Sequence, residues 1–338
     1  MTTVPIEQRA DSATPSGQFP YKAFPTGWFQ VAWSGELKPG DVRPLHYFAQ
    51  DLVLYRTAGG EARVVDAHCP HRGAHLGHGG VVQAQTITCP NHGWRWDGAG
   101  RSPDAPAGRS DECRLRHWPV REAGELIYLW YDALKGQPTW EPLVVEAYDN
   151  PDFYPAYPHG IAIDQVGFPP HLLVENMADM PHVKFVHKWV DFPSLDVWTE
   201  TGPRLHTVFS GEIPTAKGPT HLVLTNDSWG MGIVFAHFHG LRTTMQVISV
   251  IPRDHHNSDL RLSVWVQRPE GARTDEPDNL ARAICLAQHR EVLEARPGVG
   301  SDRPIWENMR YVAQPPLARE EAKVVSQYRR WIKQFYPY

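Results

Sequence analysis

Two short segments constrain this chain more than anything else in it. Cys69-Pro70-His71-Arg72-Gly73 is followed, seventeen residues after His71, by Cys89-Pro90-Asn91-His92-Gly93-Trp94, so the pattern is C-x-H-x17-C-x2-H. Each segment offers one thiolate and one imidazole. A [2Fe–2S] cluster with two cysteines on one iron and two histidines on the other needs that supply. Gly73 and Gly93 allow the backbone to turn tightly around the sulfides. Zinc is the competing occupant, but it favours C-x2–4-C and H-x3–5-H pairs, which the C-x-H pair fits poorly. The stretch around both segments, 67–98, is rich in Gly, Pro, His and Cys, as site-bearing loops are.

The cluster segments leave much of the chain to explain. At 338 residues there is room for one large domain or two ordinary ones. With 41% hydrophobic and 21% charged residues, the composition is that of a soluble globular protein. The formal net charge of −5 implies neither nucleic acid nor an anionic membrane as a partner. No apolar run approaches the ~18 residues of a membrane span. Residues 1–18 are polar, lack the apolar core of a signal peptide and read as a flexible lead-in. Four cysteines without an export signal point to the cytoplasm. Cys113 and Cys285, outside the pattern, read as buried small hydrophobes. Eighteen histidines invite a search for a second metal site.

Along the chain, 28–33 and 52–56 carry strand formers, and Gly59-Gly60 before 62–65 signals a hairpin. Residues 126–131 form another strand, and 132–160 hold many prolines, as a linker would. Residues 171–189 have helical character. Between 204 and 267 lie several strands, the clearest at 260–267, where Leu260, Leu262, Val264 and Val266 alternate with Arg261, Ser263, Trp265 and Gln267. Residues 279–295 and 317–335 read as helices, the second with Val324, Tyr328, Trp331, Ile332 and Phe335 as its apolar stripe. Strands followed by helices make the second half α+β.

Residues 69–94, with Pro25-Thr26-Gly27-Trp28-Phe29 and Asp66-Ala67-His68 as flanks, resemble the Rieske domain of oxygenases. Respiratory Rieske proteins carry an additional, disulfide-forming cysteine in each cluster loop. Ala74 and Asn91 stand at those positions, which points to the oxygenase or ferredoxin class.

About two hundred residues follow the cluster domain, and 175–187 give them a purpose. Asp179, His182 and His187 read D-x2-H-x4-H. Non-haem Fe(II) that activates O2 is commonly held by two histidines and one carboxylate on one face. On an ideal helix, residues five apart sit about 140° from each other. Both histidines reach one iron only if the helix is distorted or ends between them, and Pro181 gives reason to expect an irregularity. With Asn176 in register, the segment resembles the mononuclear iron motif N-x2-D-x2-H-x4-H of Rieske non-haem iron oxygenases, oxygenase (alpha) component. The likeness is closest to the 3-ketosteroid 9α-hydroxylase and sterol 7-desaturase branch, where 301–308 resemble its D-x2-I-W segment.

That resemblance implies a flexible segment over 1–20, an all-β Rieske domain over 21–138 and a catalytic domain over 139–338, with an antiparallel sheet flanked by helices in a helix-grip-like arrangement. Cys69, His71, Cys89 and His92 would hold the [2Fe–2S] cluster. His182, His187 and Asp302 would hold Fe(2+), with Glu307 and Asp278 as alternative carboxylates. Asp179 would bridge His182 to His92 of a neighbouring chain in a head-to-tail trimer. O2 would be the co-substrate. No G-x-G-x2-G fingerprint opens a βαβ unit, so electrons would come from a separate NAD(P)H-dependent flavin and iron–sulfur reductase. The expected reaction is monooxygenation of a hydrophobic, steroid-like molecule. Alkaloid or aromatic hydroxylation, ring dihydroxylation, O-demethylation and a bare electron carrier are the alternatives. Trp229, Met231, Phe235, Phe238 and Met245 read as core before pocket lining. His75, His78, His237, His239, His255 and His256 are expected to be structural.

Overall fold

The computed structural model describes residues 20–106, 113–239, 243–271, 279–292 and 302–337. The expected flexible segment lies almost wholly outside these, as does Asp278.

The first part is all β. Its strands are β1 (Gly27–Trp33), β2 (Val42–Tyr47), β3 (Gln50–Arg56), β4 (Ala62–Asp66), β5 (Val81–Gln83), β6 (Thr86–Thr88), β7 (Arg95–Trp96), β8 (His117–Trp118), β9 (Val120–Ala123) and β10 (Leu126–Tyr131). They form three small antiparallel sheets, β1-β10-β9, β2-β3-β4-β8 and β5-β6-β7. The anticipated hairpin joins β3 to β4, with Gly60 at φ 91° where a side chain would be strained. The two cysteine–histidine segments follow β4 and link β6 to β7.

The second part is one large sheet. Phe153–Tyr154 is β11, Ile161–Val166 β12, Ser194–Thr201 β13, Arg204–Ile213 β14, Thr220–Trp229 β15, Ile233–His239 β16, Thr244–Pro252 β17 and Ser258–Gln267 β18. Their order is β11-β18-β17-β16-β15-β14-β13, with β12 also pairing to β18, all antiparallel. Five helices accompany it among the described residues: α1 (Pro170–Glu175), α2 (Met180–Phe185), α3 (Asn279–Val292), α4 (Arg303–Trp306) and α5 (Arg319–Trp331). None is long and apolar enough to cross a membrane. The α+β expectation holds, and every residue of the anticipated apolar stripe is buried, Val324, Tyr328 and Trp331 on α5 and Ile332 and Phe335 on the 3-10 turn that follows it.

The alternation in β18 takes its meaning from what covers each face. Leu260, Leu262, Val264 and Val266 pack with α1 and α5 in one core. Trp265 on the other face joins Met245 and Val247 against Trp28 and Trp130 of β1 and β10. The sheet is therefore shared between the helices and the first domain, and at β17 and β18 both faces are buried. Met231, Phe235 and Met245 accordingly lie in core, as expected.

Candidate metal centres

The two cysteine–histidine loops are built alike. In the first, Cys69 N–H donates to Ala74 O at 2.9 Å and Gly73 N–H to Cys69 O at 2.8 Å. In the second, Cys89 N–H donates to Trp94 O at 2.8 Å and Gly93 N–H to Cys89 O at 3.0 Å. Gly73 and Gly93 sit at φ 76° and 74°, the left-handed conformation each turn requires. Both cysteines are buried in an apolar shell that includes Leu76, Ile87 and Trp96. Burial pushes the Cys69 thiol up and the adjacent Cys89 adds to this, against the pull of the His71 backbone N–H. His71 is half-buried and His92 exposed, with ring centroids 4.7 Å apart, and Trp94 stacks on His71 at 4.2 Å. Two inward thiols and two outward imidazoles converge, which is the donor set a mixed-ligand [2Fe–2S] cluster takes. A bound metal would deprotonate the thiols it takes as ligands.

The second centre starts from a broken helix. The chain runs from α1 through a 3-10 turn, Asn176–Ala178, and bends at Asp179. Asp179 caps α2, its Oδ1 accepting from His182 N–H at 3.3 Å. Pro181 falls in the first turn, where its missing N–H costs nothing. The irregularity therefore lies ahead of Pro181, and α2 ends at Phe185, between the histidines. Lys188 Nζ donates to Phe185 O at 2.7 Å, and Lys188 itself turns left-handed at φ 60°. His187 is thereby swung out of helical register toward His182, the ring centroids lying 5.3 Å apart.

Asp302 comes from the start of α4 and is buried. Its carboxylate does not cap that helix but turns inward, Oδ2 lying 3.2 Å from His187 Nε2. Asn176 Nδ2 donates to the same carboxylate at 3.3 Å. The ligand atoms of His182, His187 and Asp302 all lie within 4.8 Å of one another. His182 Nδ1 is engaged by the Asp179 carbonyl, which leaves Nε2 for a metal. Two imidazoles and one carboxylate on one side fit a mononuclear non-haem iron. Glu307 is turned away, accepting from Arg303 Nε at 2.7 Å and Gly167 N–H at 3.4 Å.

Beside this cluster is a cleft of about 330 Å³ bordered by Asp179, His182, Asp302, Tyr311 and Arg329. The Asp179 side chain is 49% exposed. Partial burial pushes its carboxyl up and His182 pulls it down, burial being the stronger. Tyr311 and Arg329 escaped the sequence reading: Tyr311 stands outside any periodic segment, and Arg329 lies off the apolar stripe of its helix. Of the surplus histidines, His237 and His239 lie with ring centroids 3.7 Å apart and planes tilted by 35° on the sheet face away from α1 and α2, and burial lowers His237 to about 4. His255 stacks on Phe24 at 4.4 Å.

Two family profiles match successive parts of the chain. The Rieske [2Fe-2S] domain profile matches residues 27–119, and that of the 3-ketosteroid 9α-hydroxylase C-terminal domain matches 129–336. A cholesterol 7-desaturase of Bombyx mori is 30% identical over 93% of this chain and 70% of its own. A 3-ketosteroid-9-alpha-monooxygenase oxygenase component of Rhodococcus rhodochrous is 25% identical over 93% of this chain and 83% of its own. The crystal structure of dicamba monooxygenase bound to 3,6-dichlorosalicylic acid superposes with a TM-score of 0.69 at 19% identity, covering 94% of this chain and 98% of that one, so the fold is shared. The chain belongs to the 3-ketosteroid 9α-hydroxylase family and is the oxygenase component of a Rieske non-haem iron enzyme.

Proposed function

We propose that this oxygenase component hydroxylates a C–H bond of a hydrophobic, polycyclic, steroid-like molecule. The balance is R–H + O2 + 2 e⁻ + 2 H⁺ → R–OH + H2O, the electrons coming from NAD(P)H through a separate flavin and iron–sulfur reductase. Such a supply places the reaction in the cytoplasm. The carrying observation is the convergence of His182, His187 and Asp302 beside a cleft. The steroid reading is supported by relatives named for cholesterol and for 3-ketosteroids.

Cys69, Cys89, His71 and His92 hold the [2Fe–2S] cluster; His182, His187 and Asp302 hold the mononuclear iron. When bound, these groups supply single electrons and an O2-activating centre. The chain's own work is to orient them. Asn176 holds the Asp302 carboxylate, and the Asp179 carbonyl fixes the His182 ring. The half-exposed carboxylate of Asp179 supports a hydrogen bond to the partner subunit's His92 in a head-to-tail trimer, a heterologous interface that closes by rotation. We place the division between domains at 138/139, because β10 pairs with β1 along its length and belongs with the first domain.

Turnover with a surrogate reductase under ¹⁸O2, against steroids, alkaloids and aromatics, tests this. One labelled oxygen in a steroid product is expected. Two labelled oxygens would mean dihydroxylation, and an unlabelled product short of two hydrogens would mean desaturation. Products only from alkaloids or aromatics would overturn the substrate.

A further inference from the structure

A buried indole needs an acceptor for its one N–H. Trp28 donates to Trp140 O at 2.7 Å, Trp33 to Ser263 Oγ at 2.8 Å and Trp118 to Asp66 Oδ1 at 2.8 Å. Trp96 is different. It is 0% exposed, and its Nε1–H is buried without a hydrogen-bond partner among the described residues. Trp140 and Trp265 share that lack, but they pack where the two domains meet, away from the cluster loops. Native proteins rarely keep such a donor without a use.

The register of β7 explains where Trp96 points. Its partner on β6 is Ile87, and cross-strand partners share a face. Both side chains enter the apolar shell around Cys69 and Cys89. There the indole N–H reaches toward the Cys69 sulfur and, with the His71 backbone N–H, pulls against the burial that raises this thiol. A thiol sulfur is a weak acceptor, which leaves the N–H unsatisfied. A thiolate held by iron is a charged acceptor, and hydrogen bonds to charged groups are roughly twice as strong as neutral ones. Trp94, the other indole of the loop, stacks on the His71 ring instead.

We infer that Trp96 donates its indole N–H to the Cys69 sulfur of the bound [2Fe–2S] cluster and thereby raises the cluster's reduction potential. This rests on the ligand assignment above and adds a residue to it. Reduction takes one iron from ferric to ferrous, adds one negative charge, and makes or breaks no bond. The Cys69 sulfur becomes the better acceptor, so the N–H favours the reduced state; hydrogen bonds to the sulfurs are among the groups that set such potentials. A higher potential eases electron uptake from the reductase and lessens the drive onward to the mononuclear iron. Trp96 acts through Cys69 and touches neither substrate nor iron.

The test uses the holoprotein and its variant Trp96→Phe, which keeps an aromatic ring and removes the N–H. The cluster's potential is measured by redox titration followed in visible absorbance, and the reduced cluster is checked by EPR. Trp96→Phe is expected to keep the EPR signal of an intact cluster. Its reduction equilibrium constant should fall about tenfold, a downward shift of about 59 mV for one electron. The sign separates the hydrogen bond from packing, because a cavity that admits water stabilises the more negative reduced cluster and moves the potential up. An unshifted or raised potential with the cluster intact overturns the inference. If Trp96→Phe assembles no cluster, 3-benzothienylalanine at position 96, which replaces the N–H by sulfur within the same ring outline, is titrated with the same two outcomes. A native protein lacking the mixed-ligand EPR signal would instead sink the ligand assignment, and this inference with it.

Discussion

Asp302 and Asn176 meet across 126 residues of sequence, and the hydrogen bond between them holds the carboxylate beside His187. Asp302→Ala should therefore remove the mononuclear iron and leave the cluster's visible absorbance intact. Asn176→Leu should keep the ligand set but weaken iron binding by roughly 10–100-fold, the usual cost of losing an outer hydrogen bond to a ligand. Iron titration of the chelated protein measures both. Equal iron affinity in Asn176→Leu and the native chain would show that the contact does not orient the carboxylate. The cysteine and histidine ligands of the cluster were legible in the sequence because each loop ties its own pair at fixed spacing. Asp302 was reached only by resemblance, since nothing local relates it to His182. The role of Asn176 needed the distance itself.

At the level of elements, the bend between α1 and α2 carries two separable functions on one residue. Asp179 caps α2 and presents a half-exposed carboxylate. Asparagine caps as well as aspartate, whereas alanine costs about 1 kcal/mol. Asp179→Asn should then keep native stability and both metals yet lose coupled turnover, while Asp179→Ala loses turnover and stability together. Full coupled turnover in Asp179→Asn would leave Asp179 as a cap alone. On α1, His171 is fully buried, and burial, aided by the charge of Arg329, lowers it to about 3. Between pH 6.5 and 3 the unfolded chain binds a proton there that the folded chain refuses. Stability should fall on acidification through that window, by roughly 1.4 kcal/mol per pH unit. His171→Leu should flatten the slope of denaturation free energy against pH between 6.5 and 5; an unaltered slope would assign the acid sensitivity elsewhere. The strands and the apolar stripe of α5 were legible because periodicity records burial directly. The break at Asp179 was anticipated only in outline, since Pro181 drew attention two residues too late.

Across the whole molecule, the two domains are joined by a polar clasp set in apolar core. Arg261 reaches Tyr47 OH at 3.2 Å, Tyr47 donates to Asp259 at 3.1 Å, and Arg253 pairs with Asp259 at 3.1 Å. Asp259 is 3% exposed, so Asp259→Leu strands buried positive charge and should cost about 3–5 kcal/mol. Urea denaturation measures this, and a cost near zero would mean the clasp is solvated. None of it was visible in sequence, because the clasp depends on a strand of one domain lying against a sheet of the other. That shared sheet has a consequence for adaptation. In β15 to β18 the even-numbered positions look toward the helices, and the odd-numbered positions of β16 to β18 look toward the first domain or flank those that do. A library that diversifies positions 234, 248 and 262 changes the packing under the helices without disturbing domain union. One that diversifies 245, 247 and 265 loosens the union before it alters the chemistry. The pleat thus divides a single wall into a mutable surface and a fixed one, residue by residue.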